Sequence, residues 1–341
     1  MSGNTVSRRS VVLKRRPRGE PDPADFEMLD DTIPSLGPDE VLTRTIFLSI
    51  DPYMRGRLRE EQTYAVAVQI GEVMTGETVG EVIASHHPGF VAGDVAVGAR
   101  GWQSHIVSYG DRLTKIDRAA GAPLSAYLGV LGMPGATAYA GITEICKPKA
   151  EETVVVSAAS GAVGSIAGQL ARRAGARVVG IAGGPEKCLW VQDSLGFDAC
   201  VDHRNRDLEA ELRAECPDGI DAYFENVGGR VQEAVFALLN PFSRVAMCGM
   251  VSQYNEREFP PGPNLGFVVG KRVTIQGFIV SDRPERLTEW RMLAAPLVAD
   301  GGLIYREDVH EGLENAPQAL AAILSGQNFG KLLVRVGPDP I

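Results

Sequence analysis

Two textures of hydrophobic and polar positions divide the chain. Up to about residue 125, short alternating runs such as "EVLTRTIFLSI", "TVGEVIAS" and "DVAVGARGWQSHIV" are separated by turn signals such as "HHPGFVAGD". A period of two, bounded by Gly and Pro, predicts half-buried β-strands. From about residue 127 continuous apolar runs alternate with helical periods. "ETVVVSA", "ARVVGIAG", "DACVDH", "IDAYFENV", "SRVAMCGM" and "RVTIQGFIV" read as strands. "GAVGSIAGQLARRAG", "PEKCLWVQDSLG", "RDLEAELRAEC" and "RVQEAVFALL" read as helices between them. Strand–helix alternation with short connections predicts an α/β fold with a parallel, doubly wound sheet and right-handed crossovers. Two further helices, "ERLTEWRMLAAPLVADG" and "LENAPQALAAILSG", and a last strand, "GKLLVRVG", follow. The expected division is a β-rich domain from 1–126 and 305–341 around a nucleotide-binding domain at 127–304. Leaving and re-entering the first domain would place a cleft between the two, a common location for ligands.

Length and composition agree with this and narrow the function classes. The 341 residues suit two domains, and 44% apolar with 23% charged residues is an ordinary globular balance. No apolar run reaches the roughly 20 residues that span a bilayer, so no membrane role is expected. The net charge of -9 argues against non-specific nucleic-acid binding. A basic cluster (Arg8, Arg9, Lys14, Arg15, Arg16, Arg18) has no apolar segment behind it, and "SVVLKRRP" reads as a short strand rather than a targeting signal. Cys146, Cys188, Cys200, Cys216 and Cys248 make no C-x-x-C, so each is expected to be a small buried residue in a reducing cytoplasm.

The stretch "VVVSAASGAVGSIAGQLARRAGARVVGIAGG" carries the chemistry. A dinucleotide fingerprint needs a tight turn, close approach to pyrophosphate and a helix packed on its strand. Ala159, Gly161 and Gly164 hold its three positions, and Gly168 allows a further close approach. Alanine at the first position requires only that the turn keep φ negative there. The amides from Ala162 to Gly164 would then face the anion. An NAD site needs an acid near the end of the second strand; this strand ends in Ala182, Gly183 and Gly184, with Lys187 one turn onward. NADP(H) is therefore the expected cofactor, with His203 and Arg204 adding positive charge and Glu186 pointing to solvent.

At this point "GMPGATAYAGI", "SAASGAVGSIAGQLA" and "YFENVGG" resemble the medium-chain dehydrogenase/reductase superfamily. "SIDPYMRGR", "CGMVSQYN", "PPGPN" and "GQNFGKLLVRV" narrow the resemblance to its zinc-independent prostaglandin reductase/leukotriene hydroxydehydrogenase branch, with the curcumin-reductase-like proteins. The resemblance runs over nearly the whole chain. It implies a GroES-like catalytic domain, a Rossmann domain, a homodimer, and NADPH-dependent reduction of a double bond conjugated to a carbonyl. It places Gly161, Ala162, Val163 and Gly164 at the pyrophosphate and Lys187 at the 2′-phosphate. Asn226 and Cys248, Gly249, Met250, Val251, Ser252 and Tyr254 would line the cofactor. Phe278, Ile279 and Val280 would flank the nicotinamide, and Asn328 would reach in from the C-terminal strand. His203 departs from the family's tyrosine, which bears on NADP selectivity and its pH dependence. The positions that hold zinc in alcohol dehydrogenases of the superfamily fall on Asp51, Gly76 and Met133, a poor donor set, so no metal is expected.

The implied reaction adds hydride to the β-carbon of an enone or alkenal. It needs a donor at the carbonyl oxygen and a proton for the α-carbon. Tyr254 is the expected donor, with packing against the cofactor as its plainer role; Tyr53 is a second pocket candidate. Arg55 would pair with a carboxylate or brace its loop, and Phe259 to Asn264 would form a semi-rigid lid or a plain surface loop. Two other readings stay open: a quinone reductase or hydroxyl dehydrogenase, and a catalytically idle NADP-binding protein.

Overall fold

A computed structural model describes residues 6–33, 35–60, 66–118, 121–258 and 260–340. The chain opens with β1 (Ser7–Leu13), β2 (Phe26–Thr32) and β3 (Glu40–Ser49), a short helix α1 (Met54–Arg57), then β4 (Glu77–Ser85), β5 (Val95–Arg100), β6 (His105–Tyr109) and β7 (Thr114–Lys115). Helix α2 (Met133–Ala140) continues into a π-helical turn at Gly141–Cys146. Next come β8 (Thr153–Ser157), α3 (Gly164–Arg173), β9 (Arg177–Ala182), α4 (Pro185–Asp193), β10 (Ala199–Asp202), α5 (Leu208–Glu215), β11 (Ile220–Glu225), α6 (Gly229–Ala237) and β12 (Leu239–Met247). Helix α7 (Gly266–Lys271), β13 (Thr274–Gly277), α8 (Glu285–Ala299), β14 (Glu307–Glu311), α9 (Ala316–Leu324) and β15 (Lys331–Arg335) complete the order.

Two compact units result. One holds the chain up to Leu128 with Glu307–Asn328 and the residues from Leu332; the other holds Gly129–Arg306 with Phe329–Lys331. In the first, a seven-stranded sheet runs β14-β15-β3-β4-β5-β7, with β6 on β3, and β1 pairs with β2. Its core gathers Leu13, Ile50, Met54, Trp102 and Leu320, all buried. Of the basic cluster, Arg8 and Arg9 lie in β1, while Lys14, Arg15, Arg16 and Arg18 follow it outside any strand, because β1 stops at Leu13. The acids of β2 answer it: Arg8 donates to Asp31 and Arg9 lies 3.9 Å from Asp30.

The second unit is a six-stranded sheet, β10-β9-β8-β11-β12-β13, parallel in every pairing. Its strands have apolar runs because helices cover both faces; all five residues of β8 are buried. Leu208 and Leu212 of α5 and Val231 and Val235 of α6 pack on Val179, Val201 and Tyr223 of the sheet. Chain order reverses at β8, which has β9 on one side and β11 on the other. Ligands of such sheets bind at the carboxyl ends of the strands beside that switch point. No helix among the described residues is long and apolar enough to cross a membrane.

Candidate functional site

The phosphate-type turn lies at the carboxyl end of β8. Ala158 takes a left-handed φ of 49°, whereas Ala159, where the fingerprint reading requires a negative φ, is not among the residues of positive φ. The Gly161 N–H closes the turn on the Ala158 carbonyl at 2.9 Å. A Cβ on Gly164 would stand 2.4 Å from that carbonyl oxygen; on Gly161 it would meet only the same oxygen, at 3.2 Å, and otherwise open space. Gly161 also bridges to Gly330, a partner its own neighbourhood in sequence does not announce. Helix α3 begins at Gly164, later than its sequence pattern suggests, so Ala162 and Val163 precede it. Their N–H groups find no acceptor among the described residues. Two unsatisfied amides at the positive end of a helix can bind an anion. Gly168 has a packing role, since its Cβ would meet the Phe197 ring at 1.8 Å.

At the end of β9 the chain passes through Gly183 and Gly184, the latter at φ 99°, into α4 with Pro185 at its first turn. A Cβ on Gly183 would lie 2.8 Å from His203 Nε2, and one on Gly184 3.0 Å from an Arg204 guanidinium nitrogen. The bare backbone thus lets both side chains fold over the strand end. The acid nearest to this place, Asp202, is turned inward: one oxygen accepts from the N–H of Gly184 at 2.9 Å and of Arg204 at 3.0 Å. Burial works to raise its pKa, but these amides and the charges of His203 and Arg204 hold it below the usual carboxylate range. Lys187 stands half-buried in the first turn of α4, while Glu186 is exposed. Crowding lowers the His203 pKa; Asp202 opposes this, and Arg204 and Lys187 add to it. Asp202 is committed to these amides, Glu186 is exposed at the start of α4, and cationic groups suited to a phosphate are present.

The loops after β11 and β12 are laced together. Asn226 Nδ2 donates to the Ser157 carbonyl at 2.8 Å, which ties the loop to the end of β8. The N–H groups of Cys248 and Gly249 donate to the Glu225 carbonyl, and those of Val251 and Ser252 to the carbonyls of Asn226 and Val227. The Cys248 thiol is pushed up to about 12 by burial, with Glu225 adding to it, so it stays protonated. Tyr254 follows the turn Val251–Gln253, and its hydroxyl accepts from the Met250 N–H at 3.4 Å. Cys248, Met250 and Tyr254 share a cavity of about 710 Å³ with Pro260, Pro261 and Pro263. Phe259, the first residue of the expected lid, lies outside the described residues. After β13, Phe278 packs edge-on against Phe224, and Ile279 and Val280 enter the next turn half-buried.

The first unit holds the other expected residues. Tyr53 precedes α1, and the Arg57 guanidinium stands 5.8 Å from its ring centre. Burial, helped by Asp51 and Glu77, raises its phenol well above the ordinary value. Arg55 is buried and donates to the Gly19 carbonyl at 2.8 Å, so it braces a strap rather than meeting a ligand. Asn328 is half-buried between α9 and β15. Asp51 accepts from the Ser49 hydroxyl, and a side chain at Gly76 would collide with Leu48 at 2.8 Å and Trp102 at 2.9 Å. Cys146, Cys188 and Cys216 are buried, whereas Cys200 and Cys248 are only partly so. Sequence reading passed over Ser157 and Glu225, the polar residues that close β8 and β11.

Comparison with known proteins places these features in a family. Residues 9–116 match the N-terminal domain of oxidoreductase, and residues 162–296 match the zinc-binding dehydrogenase model. The chain is 46% identical over 337 residues to the NADPH-dependent curcumin reductase of Escherichia coli (strain K12), covering 97% of each. It is 42% identical over 340 residues to the NADP(+)-dependent 2-alkenal reductase of Nicotiana tabacum, covering 98% of this chain and 99% of the other. The solved structure of CurA from Vibrio vulnificus in complex with NADPH superposes with a TM-score of 0.92 at 43% identity, covering 97% of this chain and 100% of that one. The chain belongs to the medium-chain dehydrogenase/reductase superfamily, in its zinc-independent curcumin reductase and prostaglandin reductase-like branch.

Proposed function

We propose that this protein is an NADPH-dependent reductase of the carbon–carbon double bond of α,β-unsaturated ketones and aldehydes. The observation that carries the reading is the strand-end cradle, where Gly183 and Gly184 lie bare under His203 and Arg204 beside Lys187. Bound NADPH supplies the hydride that the β-carbon of the substrate receives. Gly161, Ala162, Val163 and Gly164 hold the pyrophosphate, with Lys187 and His203 on the 2′-phosphate. Asn226, Cys248 to Ser252, Phe278 to Val280 and Asn328 line the rest of the cofactor. The 1–126 and 305–341 segments serve as the catalytic domain and 127–304 as the nucleotide-binding domain.

The chain's own contribution to the chemistry is electrostatic. Charge develops on the substrate carbonyl oxygen, and a phenol can donate to it without ionising at neutral pH. Tyr254 fills this role; the Met250 N–H that donates to its oxygen makes the phenol a better donor. Tyr53, kept protonated by burial, is a second donor and a substrate wall. Among the described residues strand β13 pairs only with β12 and presents an open edge near exposed Leu265 and Val269, which supports a homodimer. The free cysteines fit a reducing cytoplasm.

Loss of NADPH absorbance with a panel of enones, alkenals, quinones and saturated ketones tests the reading. Enones and alkenals are the expected substrates. Oxidation by quinones alone would replace the proposal with a quinone reductase, and tight NADPH binding with no oxidation would leave an idle binding protein.

A further inference from the structure

The second unit takes three residues from the far end of the chain. Phe329–Lys331 belong to it, although Glu307–Asn328 before them and the residues from Leu332 onward belong to the first unit. Gly330 is buried, takes a positive φ of 90° and forms a parallel bridge to Gly161 of the phosphate-type turn. It is also crowded: a Cβ there would stand 2.2 Å from the Arg306 carbonyl oxygen. That oxygen accepts from the Lys331 N–H at 2.8 Å. Gly330 is thus pressed on Arg306 and bridged to the turn at once.

Arg306 is anchored in its turn through the helix that follows the phosphate-type turn. Gln169 of α3 is buried; its Oε1 accepts from the Ile304 N–H at 2.9 Å, and its Nε2 donates to the Ile304 carbonyl at 2.7 Å. Two residues on, the Arg306 guanidinium lies 3.9 Å from the centre of the Phe329 ring. Trp190 of α4 meets the same ring edge-on, with centroids 5.3 Å apart. Both contacts are attractive and directional, a cation over a ring face and a T-shaped aromatic pair. They fix the residue that immediately precedes Gly330.

The turn needs such a brace. Ala158 keeps its left-handed φ of 49°, a costly conformation for a residue with a Cβ, which persists only where the surroundings over-determine it. The Gly161 N–H on the Ala158 carbonyl is one restraint, and the Gly330 bridge is another from outside the turn. Ala162 and Val163 follow Gly161 directly, so a shift at Gly161 carries both of their amides with it. Hydrogen bonds weaken steeply when they leave alignment.

We propose that Phe329 is a positioning residue for the pyrophosphate of NADPH: clamped by Arg306 and Trp190, its ring keeps Gly330 against Gly161 and so holds the Ala162 and Val163 amides ready for the phosphates. The proposal rests on the cofactor assignment above.

The test is the dissociation constants of NADPH, NADH and 2′-AMP, read by calorimetric titration, for the wild type, Phe329→Ala and Phe329→Tyr. The two dinucleotides share a pyrophosphate, whereas 2′-AMP carries a 2′-phosphate and no pyrophosphate. Phe329→Ala should raise both dinucleotide Kd values about tenfold, the loss of about one amide–phosphate hydrogen bond, and leave 2′-AMP within about twofold. Phe329→Tyr keeps a ring at the guanidinium and should restore wild-type affinity. Arg306→Met, which removes only the cation, should give the same pattern at about threefold, and it serves if Phe329→Ala does not fold. Wild-type affinity for both dinucleotides in Phe329→Ala overturns the proposal. So does equal loss of all three ligands, which would mark general damage, or a Phe329→Tyr no better than Phe329→Ala. Failure of the wild type itself to bind NADPH overturns the cofactor assignment, and this proposal with it.

Discussion

Adding one methyl group at Gly164 or at Gly161 should separate the two demands on the phosphate turn. At Gly164 the new carbon would stand 2.4 Å from the Ala158 carbonyl oxygen, where ordinary contact begins at 3.4 Å, so turn and helix must part by about 1 Å. Ala158 already occupies the left-handed region, and its carbonyl accepts from Gly161. It cannot swing aside without losing that bond. Overpacking costs about 1–3 kcal/mol, the lost hydrogen bond about 1, and alanine's better helix propensity returns about 1. The net loss is about 2 kcal/mol, a fall of roughly 6 °C in Tm for a domain of this size. At Gly161 the methyl meets a single atom at 3.2 Å, so Tm should hardly change. The same methyl occupies the space a phosphate must approach. Losing one or two amide–phosphate hydrogen bonds would raise the NADPH Kd by roughly a hundredfold. Calorimetry and fluorescence titration of Gly161→Ala, Gly164→Ala and the control Gly270→Ala, whose Cβ meets nothing within 4 Å, check this. The reasoning fails if Gly161→Ala melts as low as Gly164→Ala, or if it binds NADPH like the wild type.

Two further substitutions address the expected ligand contacts. Lys187→Ala should weaken NADPH by about tenfold or more while leaving NADH unchanged, because a charge-assisted bond to the 2′-phosphate is worth about 1.5–3 kcal/mol. Equal loss for both nucleotides, by titration, would remove Lys187 from the 2′-phosphate. Tyr254→Phe should cut enone turnover by about a hundredfold with NADPH affinity nearly constant. Unaltered kcat would reduce the phenol to packing.

What could be read in the sequence, and what could not, follows from how local each signal is. The inner strands of the parallel sheet were legible because burial on both faces leaves apolar runs such as the "VVV" of β8. Strand β14, "EDVHE", offers no such run, since none of its residues is fully buried. Helix α2 and its π-turn have only a slight apolar face, because six of the eight α2 residues are buried. Glycines 161, 164, 183 and 184 could be placed because close approach excludes a side chain regardless of the rest of the fold. The strain at Ala158 could not, because it depends on where β8 stops pairing. The Ser157–Glu225 hydrogen bond joins strands 68 residues apart in sequence, and at that separation no periodicity marks it.

The bridge between Gly161 and Gly330 has a consequence for the order in which the protein matures. The glycine turn is encoded between β8 and α3, but the segment that flanks it is made only after all six strands of the parallel sheet. A growing chain can pair all the strands of the parallel sheet while one side of this turn is still open. On this topology the turn is completed late, after a stage in which the sheet can fold while the turn stays open on one side.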